Sequence, residues 1–152
     1  AKVIATQTAV TYSDTDLTEG QTAYYQVTAY NDNGDSAKSK EVSATLDSTA
    51  PKILSVSPAN GEEISSSDTS FTVTFSETSL MGPISIESSG GCTYGNPYGP
   101  AVALTVFPWD MSGGTGKLCD GDTITVTIKK ETVTDMSGIN MMSDYVVTFT
   151  TK

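Results

Sequence analysis

The sequence contains no histidine and no arginine, and their absence excludes several kinds of chemistry. Without histidine the chain cannot build a Ser-His-Asp triad, a Cys-His pair, a histidine-ligated haem or a zinc site that uses imidazole. It has only two cysteines, Cys92 and Cys119, which are too few for a four-thiolate metal site. The composition therefore predicts no catalytic residue and no resident metal of these kinds.

Positive charge and long apolar runs are also scarce. Eight basic residues, all of them lysine, stand against 18 acidic residues, which gives a net charge of -10. This charge repels phosphate groups, so we expect no binding to nucleic acid and no docking on anionic lipid. No run of about 18 apolar residues is present, so we expect no membrane insertion.

Residues 1–46 have the pattern of a few antiparallel strands. Between 23 and 30 the residues alternate with the period of a strand that has one buried face. The sequence NDNG at 31–34 predicts a hairpin turn, since asparagine and glycine tolerate positive φ. A calcium loop at 31–35 is the alternative, but the twelve-residue pattern of such a loop is missing. The residues expected on the buried face are Ala23, Tyr25, Val27 and Ala29.

The same segment resembles the second half of a bacterial fibronectin type III domain. The resemblance lies in the runs YSDTDLTEG (12–20), YYQVTAYN (24–31) and GDS (34–36). It implies strands at about 9–13, 22–31 and 38–46, with residues 1–5 in the preceding strand. The tyrosine-corner position of that family falls on Ala23, so Tyr24 or Tyr25 would have to replace the hydroxyl anchor.

Three or four strands without an opposing sheet are marginally stable, so we expect residues 1–46 to be completed from outside. The sequence begins with Ala1 and has no visible signal peptide, so we expect an upstream segment that was removed or lies outside it. Three sources of completion stay open. The segment is a fragment of a longer domain, its other half is a separate chain, or a neighbouring subunit donates strands by β-augmentation.

Residues 47–51 predict a short polar linker that Pro51 stiffens. Beyond it, residues 52–152 contain at least six short alternating runs separated by turn residues. We expect one strand in each of 53–56, 71–75, 84–86, 104–107, 124–128 and 145–149. The chain is thus predicted to be all-β, with tandem antiparallel β-sandwiches: a partial one at 1–46 and a complete one at 52–152.

The second segment resembles the bacterial Ig-like domain of S-layer and other surface proteins. The shared motifs are TAP (49–51), SPANG (57–61), VTFSE (73–77), DMSGIN (135–140) and FTT (149–151). Two departures stand out, because Ile139 is inserted into the family's Asp-x-x-Gly-Asn turn and residues 78–117 do not follow the family. The resemblance implies a structural spacer or an adhesive module outside the cell.

In an exported β-sandwich we expect Cys92 and Cys119 to form an intramolecular disulfide, with two free thiols as the alternative. The two cysteines are 27 positions apart. Closing such a loop would contribute on the order of 3 kcal/mol by restricting the unfolded chain.

The irregular, glycine-rich region from about 88 to 114 is where the sequence predicts recognition, since long loops on a rigid sandwich commonly bind ligands. Tyr94, Tyr98 and Trp109 could form an aromatic platform for a sugar ring or a protein neighbour. The alternative is that Trp109 and Phe107 plug the end of the sandwich while the tyrosines cover the loop.

Five carboxylates fall in turns, where solvated surface residues are the simplest interpretation and a glycosidase-like pair is the alternative. They are Glu77, Asp110, Asp120, Asp122 and Asp135. We expect no cofactor, with Ca²⁺ bound at 120–122 together with Asp135 as the open possibility. Three methionines near the last turn, Met136, Met141 and Met142, are expected to cap the sandwich rather than to bind copper.

These patterns predict a non-catalytic extracellular or cell-surface module of an exported prokaryotic-type protein. It would space, adhere or assemble a larger surface protein, filament or layer, with a protein partner or neighbouring subunit completing residues 1–46. The alternative is a carbohydrate-binding accessory region of a secreted hydrolase that holds polysaccharide with Tyr94, Tyr98 and Trp109. An enzyme that uses the turn carboxylates is the third hypothesis.

Overall fold

The structure, a computed structural model, describes residues 4–95 and 103–152, and for Trp109 it describes the backbone alone. Within these residues the chain forms twelve strands and one 3₁₀ turn at Lys130–Thr132, which confirms the predicted all-β class. None of the helices in this part of the chain is long and apolar enough to cross a membrane. The chain divides into unit 1, Ala1–Ser48, and unit 2, Thr49–Lys152, and this boundary falls within the segment 47–51.

Unit 1 is an irregular antiparallel hairpin. Its strands are β1 (Thr22–Tyr25), β2 (Tyr30–Asn31), β3 (Gly34–Asp35) and β4 (Val42–Thr45). β1 pairs with β4, and β2 pairs with β3 around the turn predicted at 31–34, which is confirmed. Between the two ladders the backbone N–H groups of Val27 and Ala29 donate to the hydroxyls of Ser39 and Ser36, at 3.0 and 2.9 Å. The N–H groups of Ser36 and Ser39 still donate to the carbonyls of Ala29 and Val27, but serine hydroxyls take the place of the reciprocal backbone acceptors, so the regular ladder is interrupted and the strand predicted at 22–31 is broken in two.

The strand predicted at 9–13 is wrong, and residues 4 and 5 form no strand either. The side-chain amide of Gln7 donates to the backbone carbonyls of Ala9 and Thr11, so this stretch bonds to itself instead of to a neighbouring strand. Val10 is fully exposed as a result. The strand predicted at 38–46 shortens to β4.

The apolar face of this hairpin is uncovered. None of residues 4–48 is buried, so the predicted burial of one face is wrong for these residues. Ala23 and Tyr25 are half-buried, whereas Val27 and Val42 are 70% and 63% exposed. The Tyr25 hydroxyl donates a 2.9 Å hydrogen bond to Asp14, which raises the pKa of this phenol and supplies a local anchor. The hairpin therefore has local hydrogen bonds but no hydrophobic core.

Unit 2 is a sandwich of two sheets. Its strands are β5 (Ile53–Ser57), β6 (Glu63–Ile64), β7 (Ser70–Met81), β8 (Ser85–Ser88), β9 (Ala103–Asp110), β10 (Thr123–Ile128), β11 (Val133–Asp135) and β12 (Tyr145–Thr151). One sheet has the order β6-β12-β10-β8, and the other is centred on β7, which pairs with β5, β9 and β11. All pairs are antiparallel except β6 with β12.

The central strand β7 has two partners along one edge. Residues 72–74 pair with both β5 and β9, and residues 79–80 pair with both β9 and β11. A strand has only two edges, so β5 and β11 must follow one another along the edge opposite β9. Between these two stretches the register with β9 shifts, because Thr74 lies opposite Val106 but Ser79 lies opposite Leu104. β7 therefore advances by five residues over a stretch in which β9 advances by only two. The extra residues form a bulge in β7.

The core of unit 2 lies between the two sheets. The apolar residues of β10 are fully buried while its threonines are half-exposed, as expected for a strand with one covered face. Phe71 of β7 stacks on Phe149 of β12 with ring centroids 6.2 Å apart, which joins the two sheets. Phe75 meets Phe107 of β9 edge to face at 5.5 Å.

All six strands predicted in unit 2 are present, but β7 and β9 extend well beyond the predicted residues. β6 and β11 were missed because strands of two or three residues carry no alternation that a sequence can display. β9 contains Pro108, which has no N–H to donate. β9 pairs with β7 alone among the described strands, and such an edge strand is where proline is tolerated.

Two neighbouring valines of β12 test the position of this core. Val147 is fully buried, whereas Val146 is 55% exposed. We expect Val147→Ala to lower the free energy of unfolding by about 2 kcal/mol, because it leaves a cavity. Val146→Ala, the matched control, should change it by no more than about 0.5 kcal/mol. Urea unfolding followed by circular dichroism measures both, and equal costs would contradict the assigned face of β12.

Candidate functional site

A disulfide joins two irregular segments of unit 2. Cys92 and Cys119 form the predicted bridge, with an S–S distance of 1.99 Å and Cα atoms 6.6 Å apart. It links the segment that follows β8 to the turn that precedes β10. The described residues contain no free cysteine.

The carboxylate of Asp122, in the turn before β10, is the centre of a hydrogen-bond network beside this bridge. Its Oδ1 accepts the Ser89 hydroxyl and the Gly90 backbone N–H, each at 2.8 Å. Its Oδ2 accepts the Ser88 hydroxyl at 2.6 Å and the Tyr94 hydroxyl. Asp122 is only 2% exposed, and all of these donors come from residues 88–94. The carboxylate therefore fastens that segment to the start of β10.

The backbone of Asp122 extends the network to the end of β12. The N–H of Asp122 donates to the Thr151 hydroxyl at 3.0 Å, and the N–H of Thr151 donates to the Asp122 carbonyl at 3.0 Å. The Thr151 hydroxyl in turn donates to the Cys119 carbonyl. Three segments that are distant in sequence are thus held at one end of the sandwich.

These contacts fix the charge state of Asp122. Burial by itself would raise the pKa of this carboxyl, because it disfavours the charged form. The hydrogen bonds to the ionised form, led by those from Ser88 and Tyr94, outweigh burial and hold the pKa well below its usual range. Burial and the bond to this carboxylate raise the pKa of Tyr94 to about 12. Asp122 is therefore a structural anion at neutral pH and not a proton donor.

The three aromatic residues predicted to contact a ligand differ in what the structure describes. Tyr94 packs against the core, and its hydroxyl donates a hydrogen bond to Asp122. This arrangement matches the alternative prediction that the tyrosines cover the loop. Tyr98 lies outside the described residues, and so does the side chain of Trp109, whose backbone belongs to β9. Phe107 is part of the core, as the same alternative predicts. Ligand contact by Tyr94, Tyr98 and Trp109 stays a prediction.

Two of the turn carboxylates, Asp110 and Asp120, are exposed. The backbone N–H of Ser112 donates to Asp110 at 2.9 Å and lowers the pKa of that carboxyl. Asp122 already accepts four hydrogen bonds, about as many as a carboxylate can. Among the described residues, Asp120 and Asp122 do not join Asp135 in a cluster of metal-binding geometry, so the calcium position considered at 120–122 is wrong.

The other two turn carboxylates, Glu77 and Asp135, do lie together. Asp135 ends β11 and is 1% exposed. Its Oδ1 accepts the backbone N–H groups of Ser137 and Ile139, each at 2.8 Å. Its Oδ2 has no hydrogen-bond partner among the described residues. A carboxylate oxygen of Asp135 and one of Glu77 lie within 4.8 Å of one another.

The inserted Ile139 is part of the turn that holds Asp135. The backbone N–H of Asp135 donates to the Ile139 carbonyl at 3.0 Å, so the turn closes across the insertion. Of the three methionines near it, Met141 is buried in the core and caps the sandwich, as predicted. Met136 and Met142 are exposed, so the prediction is wrong for these two.

The two-sheet sandwich and the aspartate turn after β11 agree with a comparison of family models, in which the bacterial Ig-like domain matches residues 47–151. The chain belongs to the bacterial Ig-like domain family. Unit 2 is accordingly called the Ig-like domain below. Residues 1–46 lie outside the match, so their fibronectin type III character stays a prediction, as does the S-layer type. A search of curated proteins finds no match to the chain.

Membership of this family indicates where the protein is located and what kind of role it has. Bacterial Ig-like domains and the disulfide both indicate an extracellular or cell-surface location, because disulfides persist in oxidising compartments. Domains of this family are generally non-catalytic. The Asp122 network agrees with a structural role, since each of its groups contacts protein and holds a loop in place.

Removing the Asp122 carboxylate tests this role. Asp122→Ala should lower the free energy of unfolding by about 3 kcal/mol, because it leaves several donors half-buried without an acceptor. Asp120→Ala removes the same charge from an exposed position of the same turn and should cost no more than about 0.5 kcal/mol. Equal effects in urea unfolding would show that net charge, and not the network, is responsible.

The shifted Tyr94 phenol predicts an alkaline transition. A pKa raised above the unfolded value of 10.0 contributes stability that is fully present below pH 10 and is lost as the pH rises towards about 12. Absorbance at 295 nm, compared between the natural chain and Tyr94→Phe, isolates this titration. We expect the difference in absorbance between the two proteins to appear near pH 12, where Tyr94 ionises. We expect Asp122→Asn to move this ionisation towards pH 10. A difference that already titrates near pH 10 in the natural chain would contradict the Asp122 contact.

Proposed function

We propose that the chain is a non-catalytic structural module of an extracellular or cell-surface protein. In this module the Ig-like domain is a self-contained spacer, and the hairpin of unit 1 is completed by β-structure from a protein partner or a neighbouring subunit. The observation that carries the proposal is the contrast in burial. The described part of the Ig-like domain has sixteen buried hydrophobic residues, whereas residues 4–48 have none.

Support for the spacer comes from the Ig-like domain itself. Each of its sheets covers the apolar face of the other, and the disulfide and the Asp122 network fasten the irregular end. A stiff, disulfide-linked sandwich suits a protein that sets a distance between other groups at a cell surface.

Support for completion comes from the surface of unit 1. A two-stranded sheet presents unpaired backbone groups along both outer edges, which is a template for strand addition. Apolar side chains are exposed on β1, β2 and β4, between β1 and β2, and in the segment before β1, which is costly in water unless another layer covers them. They are Ile4, Val10, Tyr12, Tyr24, Val27, Tyr30 and Val42.

Hydrogen–deuterium exchange on the full chain tests this proposal. We expect the backbone amides of β1 and β4 to exchange roughly 100-fold or more faster than those of β10 and β12, because a hairpin without a core opens readily. The amides of the Ig-like domain serve as the internal control. If β1 and β4 are protected as strongly as β10, the hairpin is stable alone and needs no completion.

Carbohydrate binding is the second candidate function, and one observation favours it. The disulfide and Asp122 fasten residues 88–94 to the start of β10, and an aromatic platform requires such a fixed support. Affinity electrophoresis in gels that contain polysaccharide would compare the natural chain with Trp109→Ala. The control is Tyr30→Ala, which removes an exposed aromatic residue from unit 1. Retardation lost in Trp109→Ala alone would favour this function over the first.

A further inference from the structure

We propose that Glu77 and Asp135 form a calcium-binding site in the Ig-like domain, at the point where β11 leaves β7. The ligand is a hard divalent cation that takes oxygen donors, and Ca²⁺ fits best. The site lies on the opposite edge of β7 from β9, and it shares no residue with the Asp122 network.

The strand register explains why the two carboxylates meet. Asp135 lies directly opposite Ser79 in the antiparallel pair of β11 and β7. Glu77 precedes Ser79 by two residues, so it is the diagonal neighbour of Asp135 on the same face of the pair. Glu77 also lies in the stretch of β7 where the register with β9 shifts, and bulges of this kind commonly re-aim a side chain at a functional site.

The buried Asp135 oxygen is the independent observation that points to a ligand. The turn uses only Oδ1, which accepts two backbone N–H groups. Oδ2 is buried without a hydrogen-bond partner among the described residues, and a second carboxylate lies within 4.8 Å. A buried anion close to a like charge is unfavourable unless a cation lies between them. By contrast, the buried Asp122 carboxylate has protein donors on both oxygens.

The donor type favours calcium, and the separation of the carboxylates allows it. Ca²⁺ binds oxygen at about 2.3–2.6 Å, so two ligands of one ion are at most about 4.6–5.2 Å apart. The separation of up to 4.8 Å lies within that reach. Mg²⁺ demands near-ideal octahedral geometry and gives up its water reluctantly, so a carboxylate that a turn already holds in place suits it less well. Water and other oxygen atoms would supply the remaining ligands. We expect a weak site, with a Kd of about 10⁻⁴–10⁻³ M, as in extracellular modules.

Thermal unfolding of the full chain, first treated with EDTA and then dialysed, tests the proposal. We expect 10 mM CaCl₂ to raise the Tm by roughly 5 °C, because the ion binds the folded state alone. MgCl₂ at the same concentration and ionic strength should raise it clearly less. Calorimetric titration with CaCl₂ should give one site with a Kd in the range above.

Paired variants separate this site from general charge screening, which matters for a chain of net charge -10. Asp135→Asn keeps the oxygen that accepts the turn N–H groups, and Glu77→Gln keeps the shape of its side chain. Each should weaken calcium binding by roughly tenfold or more and abolish the calcium-dependent rise in Tm. The controls Asp120→Asn and Glu87→Gln remove the same charge from exposed positions and should leave both quantities unchanged.

Two results would overturn the proposal. The first is a Tm that does not respond to calcium. The second is a rise in Tm that is equally large with Mg²⁺, or equally large in Asp135→Asn and Glu77→Gln, because it would mean that the ions screen the charge of the whole surface.

Discussion

The two sheets of the Ig-like domain and the β1–β4 pair each have an apolar face, and such a face must be covered by another layer before folding is favourable. In the Ig-like domain the two sheets cover each other, and the contact between Phe71 and Phe149 links them across the interior. The hairpin of unit 1 has the same alternation of apolar and polar residues and the same kind of hydrogen-bonded ladder. It has no second layer among the described residues. The difference between the two units is therefore one of burial and not of strand propensity. It explains why one unit is a finished domain while the other exposes valines and tyrosines.

Two aspartates of the Ig-like domain, Asp122 and Asp135, are buried beside turns. Their carboxylates differ in how completely they are hydrogen-bonded. Asp122 is surrounded by hydroxyl and N–H donors from one segment, so its charge is balanced within the protein. Asp135 is half satisfied, because one oxygen accepts hydrogen bonds from a backbone turn and the other has no hydrogen-bond partner among the described residues, with the Glu77 carboxylate close by. Asp122 directly precedes β10 and Asp135 is the last residue of β11, so both lie where a turn must reverse the chain with little solvent access. The contacts of Asp122 hold a loop in position. The free oxygen of Asp135 can instead bind the proposed cation.

Much of the fold could be predicted from the sequence, and the reasons for the failures are physical. Long alternating runs such as 124–128 and 145–149 identify strands because one of their faces is buried. The segment 9–13 has the same short-range pattern, yet Gln7 bonds to its carbonyls and no strand forms. Alternation of apolar and polar residues shows that one face of a segment can be buried. It does not show whether a neighbouring strand or an opposing sheet is present to bury it. β6 and β11 are too short to show any pattern.

The site was harder to predict than the fold. All five turn carboxylates stand out in the sequence, but their pairing depends on register and on a bulge in β7 that no local pattern encodes. The sequence therefore groups Asp135 with its neighbours along the chain around 120–122, whereas the structure places it beside Glu77. The cysteine pair could be predicted because composition and spacing restrict it to one partner. The Tyr94 contact with Asp122 was missed because the two residues are 28 positions apart.

The parallel pairing of β6 with β12 determines how the Ig-like domain responds to tension. β6 lies near the start of the domain and β12 at its end, and the backbone bonds Thr150 N–H to Glu62 O and Lys152 N–H to Ile64 O connect them. A pull on the two chain ends would drag these parallel segments in opposite directions along their length. Their hydrogen bonds would then be loaded in shear, all at once, rather than opened one by one. The short β6 would thus act as a mechanical clamp once β5, which precedes it, has separated from β7.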